Sequence, residues 1–315
     1  MSWFVIAILS YFLLAVVNLT DKFLIDNILK SSKAYTFSVC LLGGLVLLGA
    51  PWFLSYPGPI ILIENLLTGT LFVGALYFLY EALRRDKATR TVVLIGGLIP
   101  IFSTIIGWVF LNNKFVTGQL IGLLFLLIGI FLISFLKEQH SFWEKIWLSF
   151  KTEDYKKNSF VLILLASFFY AVFFLATKFV YSQQDFVSAF IWIRFGAVLT
   201  VLLFLIDSKS RREILSSFKS NNSRKKKNKN IFLFLFNQAL GSISFILQNY
   251  AIFLGPVALV TALQGVQYAI MMFFSFFLGA FFKEFKEKFS WCVLIQKISA
   301  LVSISIGLYL IALYV

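Results

Sequence analysis

The stretch IFLFLFNQALGSISFILQNYAIFLGPVALVTALQGVQYAIM, Ile231 to Met271, decides the fold of this chain. It holds two long apolar runs broken at Gly255-Pro256, each with polar residues at helical spacing. Asn237, Gly241, Ser244 and Gln248 are separated by steps of four, three and four, which puts them on one helix face. Thr261, Gln264, Tyr268 and Met271 repeat the pattern, with Gln267 beside them. Hydrocarbon supplies neither donor nor acceptor, so two such stripes in a bilayer must face a packed or water-filled interior.

The rest of the chain has the same character. Of its 315 residues, 60% are hydrophobic, 18% aromatic and only 13% charged, and the mean hydropathy is +0.90. A soluble domain carries about twice that share of charge. The charges sit in short gaps between apolar runs of 18 residues or more, each long enough to cross a bilayer as a helix. This predicts an all-α polytopic membrane protein with ten spans: 2–19, 34–54, 59–83, 89–111, 117–136, 159–180, 186–206, 231–254, 257–281 and 290–314. Met1 to Leu19 has no basic n-region and no small-residue cleavage site, so it is expected to be the first span rather than a signal peptide.

Charge placement orients the spans. Of the 28 Lys and Arg residues, all but Lys114, Lys178, Arg194 and Lys297 fall in odd-numbered loops. The positive-inside rule then puts those loops in the cytoplasm and both termini outside, in the cell membrane. A net charge of +14 does not indicate a nucleic-acid partner here. Its densest run, Ser220 to Asn230, lacks interleaved aromatics and is expected to be a disordered loop near anionic lipid. Phe142, Trp143, Ile146, Trp147 and Phe150 share one face of a short helix, which predicts an interfacial linker over 137–158. Cys40 and Cys292 lie inside apolar runs and His140 is the only histidine, so neither a metal site nor a cofactor is expected.

The two halves resemble each other. Ala15-Val-Val-Asn-Leu-Thr-Asp-Lys22-Phe23 aligns with Ala171-Val-Phe-Phe-Leu-Ala-Thr-Lys178-Phe179, Glu81-Ala82-Leu83 with Tyr250-Ala251-Ile252, and Asn113-Lys114-Phe115 with Glu287-Lys288-Phe289. A five-helix unit crosses the membrane an odd number of times, so its second copy is inverted. The charges agree, because Arg84, Arg85, Lys87 and Arg90 face a neutral repeat partner at Gly255-Pro256. The expected organisation is a first repeat at 1–136, a linker at 137–158 and a second repeat at 159–315.

At this point the chain resembles the drug/metabolite transporter superfamily, in particular its ten-helix EamA-like members. The resemblance is carried by the Ala82-Leu83 helix end before a fourth span containing Pro100, by Asn113-Lys114-Phe115, by Gly122 and Gly129, by Glu287-Lys288-Phe289-Ser290 and by Gly307. Asn113 stands where the family commonly has Glu, and the membrane-embedded Glu of the four-helix relatives has no counterpart before Asp21. The resemblance implies a cavity built from spans one, three, four, six, eight and nine.

Spans eight and nine also nominate themselves, through Asn237, Ser244, Gln248, Thr261, Gln264, Gln267 and Tyr268 as substrate-binding residues. Asn18 and Tyr80 are weaker candidates. The counterpart in the first repeat aligns Ile95 and Leu98 with Gln264 and Gln267, so the second half is expected to do most of the recognition. Arg194, well inside span seven, is read either as a gating or anion-contacting charge or as a structural one, and Glu81 either as a site residue or as the ion partner of Arg84 or Arg85. Lys178 and Lys297 are expected to be interface anchors. The spacing of Gly118, Gly122 and Gly129 indicates close helix packing, inside the monomer or in a homodimer. These features predict a secondary transporter of a small organic metabolite or drug-like solute. The competing functions are a membrane-embedded enzyme acting on lipid-linked substrates, which lacks a His/Asp/Glu cluster, and a scaffold or sensor docking through the basic loop.

Overall fold

The computed structural model describes residues 2–27, 31–86, 88–111, 117–134, 159–218, 224–255, 257–264, 266–268, 270–271, 273–274 and 291–314. Among the described residues every regular element is helical: α1 (Ser2–Asn27), α2 (Ser32–Gly43), a 3-10 helix (Gly44–Gly49), α3 (Ala50–Phe53), α4 (Pro59–Arg85), α5 (Ala88–Leu111), α6 (Thr117–Ser134), α7 (Ser159–Tyr181), α8 (Phe186–Leu203), α9 (Ser208–Phe218), α10 (Arg224–Leu254), α11 (Val257–Ala262) and α12 (Trp291–Leu313). Six segments among them are long and apolar enough to cross a membrane: Trp3–Asp26, Ser32–Phe53, Pro59–Arg85, Ser159–Tyr181, Phe186–Leu203 and Asn230–Leu254. Shorter apolar segments run over Arg90–Ser103, Leu120–Gly129 and Leu294–Gly307. The Asn113 and Glu287 motifs, His140 and the 137–158 linker lie outside the described residues, as do the side chains of Pro100, Cys292 and Lys297.

Burial is inverted relative to a soluble protein. Leu48, Trp52, Ile60 and Phe232 are each more than 70% exposed, while Asn65, Thr68, Ser167, Asn237 and Asn249 are buried. Large apolar residues outside and amides inside is the pattern that lipid contact selects. Many of the buried polar groups are satisfied within their own helix. Thr36, Ser38, Asn65, Thr68, Ser167, Ser244, Asn249 and Thr261 each donate to the carbonyl four residues back, at 2.7 to 2.9 Å.

Three boundaries differ from the expectation. Helix α1 continues to Asn27 instead of stopping at residue 19, because its polar turn is satisfied in place. Thr20 donates to the Val16 carbonyl at 2.9 Å, and Lys22 donates to the Leu83 carbonyl at 2.6 Å while pairing with Asp26 at 3.1 Å. The second span is α2, then a 3-10 helix through Gly44 and Gly49, then α3 opened by Pro51. The basic run expected to be disordered is helical from Arg224, so α10 begins before its apolar part does.

Helix α1 packs on α10, and α4 packs on α7 and α8. Helix α5 also packs on α7, α2 on α4 and α8, and α6 on α12. Glycines set two of these crossings. At α4/α8, a Cβ on Gly196 would lie 2.7 Å from the Leu66 Cα, and one on Gly69 would lie 2.5 Å from the Ala197 amide. Thr70 and Thr200 hydrogen-bond across the same contact at 2.8 Å. At α6/α12, Gly118 faces Tyr314, Gly129 faces Ile304, and a Cβ on Gly307 would lie 2.7 Å from the Gly122 carbonyl. The glycine face of α6 is therefore occupied within the monomer. Helix α9 is tied to α2, since Ser31 donates to Glu213 at 2.7 Å and Lys33 to Ser210 at 2.7 Å. Asp207 caps α9, and its hydrogen bonds from Ser210 hold its carboxyl below the usual range.

The aligned lysines do matching work in the two halves. Lys22 on α1 donates to Leu83 O at the C-terminus of α4. Lys178 on α7 donates to Ile252 O, Phe253 O and Gly255 O at the C-terminus of α10, at 2.9, 3.3 and 3.2 Å. Lys178 is thus a helix cap rather than a free interface anchor, and its charge complements the negative end of the α10 dipole. Lys178→Met is expected to lower stability by about 1 to 2 kcal/mol. A detergent melt of the two proteins checks this, and superimposable curves would remove the cap's role.

Candidate functional site

A cavity of about 120 Å³ lies between the helices, enough for about four waters at ~30 Å³ each. Its walls come from α1, α2, α4, α5, α7, α8 and α10, with Gln264 and Gln267 from the segment after α11. Apolar lining includes Leu76, Ile95, Phe72, Phe174 and Phe245. The polar lining is Asn18, Asp21, Tyr80, Tyr170, Arg194, Gln238, Ser242, Gln248, Gln264 and Gln267.

The expected site residues separate into two groups. Asn18, Tyr80, Gln248, Gln264, Gln267 and Arg194 line the cavity. Gln248 donates to the Tyr11 hydroxyl at 3.4 Å, and the buried Gln267 carbonyl oxygen takes no hydrogen bond among the described residues. Asn237, Ser244, Thr261, Tyr268 and Glu81 lie outside the lining. Ser244 and Thr261 spend their hydroxyls on their own helices, and the Ser244 carbonyl accepts from Ser10 of α1 at 2.9 Å. The Tyr268 hydroxyl occupies the space that a Cβ on Gly96 would need, which locks the segment after α11 against α5. Glu81 belongs to a charge cluster at the end of α4, where it accepts from Ser32 at 2.6 Å, from Arg84 at 2.9 Å and from Arg85.

Along α10 the cavity face is Gln238, Gly241, Ser242, Phe245 and Gln248. It shares Gly241 and Gln248 with the expected stripe but is rotated by about one residue. The period was legible in the sequence, whereas the rotation depends on which neighbour α10 packs against, namely α1.

Asp21 is the residue that sequence reasoning missed, because the first span was ended too early. It is 3% exposed and lines the cavity. Its Oδ1 accepts from the Tyr35 hydroxyl at 2.5 Å and from the Asn237 amide at 2.6 Å. Gln238 in turn donates to the Tyr35 hydroxyl at 3.2 Å. Tyr35, Asn237 and Gln238 therefore form a buried relay of donors converging on one carboxylate oxygen. The signal available in advance was the Asn237-Gln238 pair itself, two amides in an apolar run that required an acceptor on another helix.

Arg194 is 5% exposed and sits in an aromatic cage. Its guanidinium carbon lies 4.1 Å from the Phe245 ring centre, 4.7 Å from Phe72 and 5.2 Å from Phe190. Among the described residues it makes no ion pair, and its Nε has no hydrogen-bond partner. Among the described residues there is also no cluster of His, Cys, Asp and Glu able to hold a metal.

Residues 1–135 match the model of the EamA-like transporter family, which lies in the drug/metabolite transporter superfamily. No curated protein matches the chain. One solved crystal structure, described only as that of a protein, is similar over 98% of this chain and 96% of its own at 16% identity, with a TM-score of 0.54. That likeness extends a shared fold across both halves.

Proposed function

We propose, from the membership of residues 1–135 in the EamA-like transporter family, that this polytopic membrane protein is a secondary transporter of a small organic solute. Ten spans form two inverted five-helix repeats, 1–136 and 159–315, which alternate access to the cavity. Two exchanges of partner support the repeat. The first helix of each half packs on the third helix of the other, as α1 on α10 and α7 on α4. The matched lysines, Lys22 and Lys178, cap the third helix of their own half. The odd-numbered loops face the cytoplasm of the cell, and the solute is the partner that the cavity serves.

The observation that carries the proposal is a cavity walled by both halves, in which polar side chains stand among apolar ones and the Gln267 carbonyl oxygen and the Arg194 Nε have no hydrogen-bond partner among the described residues. Flux into liposomes by the purified protein tests it. A solute found by its stabilising effect on the folded protein should be carried, and Gln248→Ala and Gln264→Ala should each slow its uptake about tenfold or more. If both variants carry it at the wild-type rate and affinity, the cavity is not the route.

A further inference from the structure

Two groups able to carry opposite charges, Asp21 and Arg194, line the same cavity. Asp21 offers a carboxyl group that faces the cavity and whose Oδ1 is held by Tyr35 and Asn237. Arg194 offers a guanidinium that is caged by rings and makes no ion pair among the described residues. Taking an ion out of water is costly unless a partner of opposite charge replaces the water. Each of these ions therefore invites a counter-charge from a guest.

The helices fix how far apart the two invitations are. On α2, Tyr35 holds Asp21, and Gly43 would place a Cβ 3.1 Å from the Arg194 guanidinium. On α4, Tyr80 packs against Tyr35 at 4.7 Å between ring centres, and Phe72 lies under Arg194. On α10, Asn237 holds Asp21, and Phe245 lies under Arg194. Each helix advances eight residues between the two points, a rise of about 12 Å. That offset is too long for Asp21 and Arg194 to pair with each other.

We infer that the cavity recognises an elongated zwitterion, with its anionic group on Arg194, its cationic group on Asp21 and an apolar stem between them along Leu76, Ile95 and Phe245. This names the solute class of the proposed transporter and so rests on that function. Small α-amino acids, whose charges are adjacent, reach only one end.

The unbranched ω-amino acids test this without any mutation, because only chain length changes. The full-length protein in detergent is melted with glycine, 4-aminobutanoate, 6-aminohexanoate and 8-aminooctanoate, and with hexylamine and hexanoate as one-ended controls. Stabilisation should rise from glycine to a maximum at 6-aminohexanoate or 8-aminooctanoate, while both one-ended controls bind at least about tenfold more weakly. Asp21→Asn and Arg194→Gln should each lower affinity for the best ligand by about tenfold or more, and Arg194→Lys should retain part of it. The inference is overturned if glycine or a one-ended control binds as tightly as the best ω-amino acid, if no member of the series binds, or if both charge-removing variants bind like wild type. Liposome flux separates this from the transporter proposal. Binding of the long ω-amino acids without flux would remove transport but keep the two-ended site. Flux of a neutral solute with no binding in the series would do the reverse.

Discussion

Gly196→Leu is expected to yield no monodisperse protein from detergent, whereas Gly241→Ala yields as much as wild type. Both glycines lie in helices, so helix propensity does not distinguish them. The space around them does. A Cβ at Gly196 would meet the Leu66 backbone, with Cα and carbonyl oxygen both 2.7 Å away and the carbonyl carbon at 3.1 Å. Backbone cannot turn aside as a side-chain rotamer can, so α4 and α8 must separate. Separation also breaks the contact at Gly69 and the Thr70–Thr200 hydrogen bond. The cost should reach or exceed the ~3 kcal/mol at the top of ordinary overpacking. At Gly241 the nearest atom to an added Cβ is the Val17 Cγ1 at 3.5 Å, an ordinary contact. Size-exclusion profiles of the two variants decide the matter, and a normal Gly196→Leu profile would contradict the α4/α8 crossing.

Asp21→Ala should destabilise the fold by about 2 to 6 kcal/mol, because it strands two buried donors at about 1 to 3 kcal/mol each. The donors are the Tyr35 hydroxyl and the Asn237 amide, and both residues are within 1% of full burial. Asp21→Asn keeps a carbonyl oxygen for them to share and should cost well under half as much. Tyr35→Phe removes one donor together with its demand, while leaving the Gln238 amide without its acceptor, and should fall between the two. Thermal melts of the four proteins give the order directly. An Asp21→Ala protein that melts with wild type would mean that these helices do not meet at residue 21.

Much of the architecture was legible because bilayer physics writes it at low resolution. Apolar runs of spanning length marked the six segments that are long and apolar enough to cross a membrane, and the lysines aligned between the halves reappear in equivalent capping positions. Ends were less legible. Thr20, Asp21 and Lys22 look like a loop to any rule that counts polar residues, yet each is satisfied by a carbonyl, a hydroxyl or an amide already inside the bundle. The same local satisfaction removes Ser244 and Thr261 from the cavity, since a hydroxyl bonded to its own helix does not require an interior to face.

The sequence by itself determined that this is an all-helical membrane chain, with a second half rich in buried amides and an isolated arginine deep in one span. Hydropathy and helical period are properties of single segments, so a single segment suffices to read them. Only the tertiary structure decided that α10 is turned to present Gln238 and Gln248, that Asp21 joins α1 to the cavity, and that the Arg194 charge rests on three phenyl rings. Those facts depend on pairs of residues as far apart in sequence as Asp21 and Asn237, and such a pairing is fixed by how helices pack rather than by anything local to either strand of sequence.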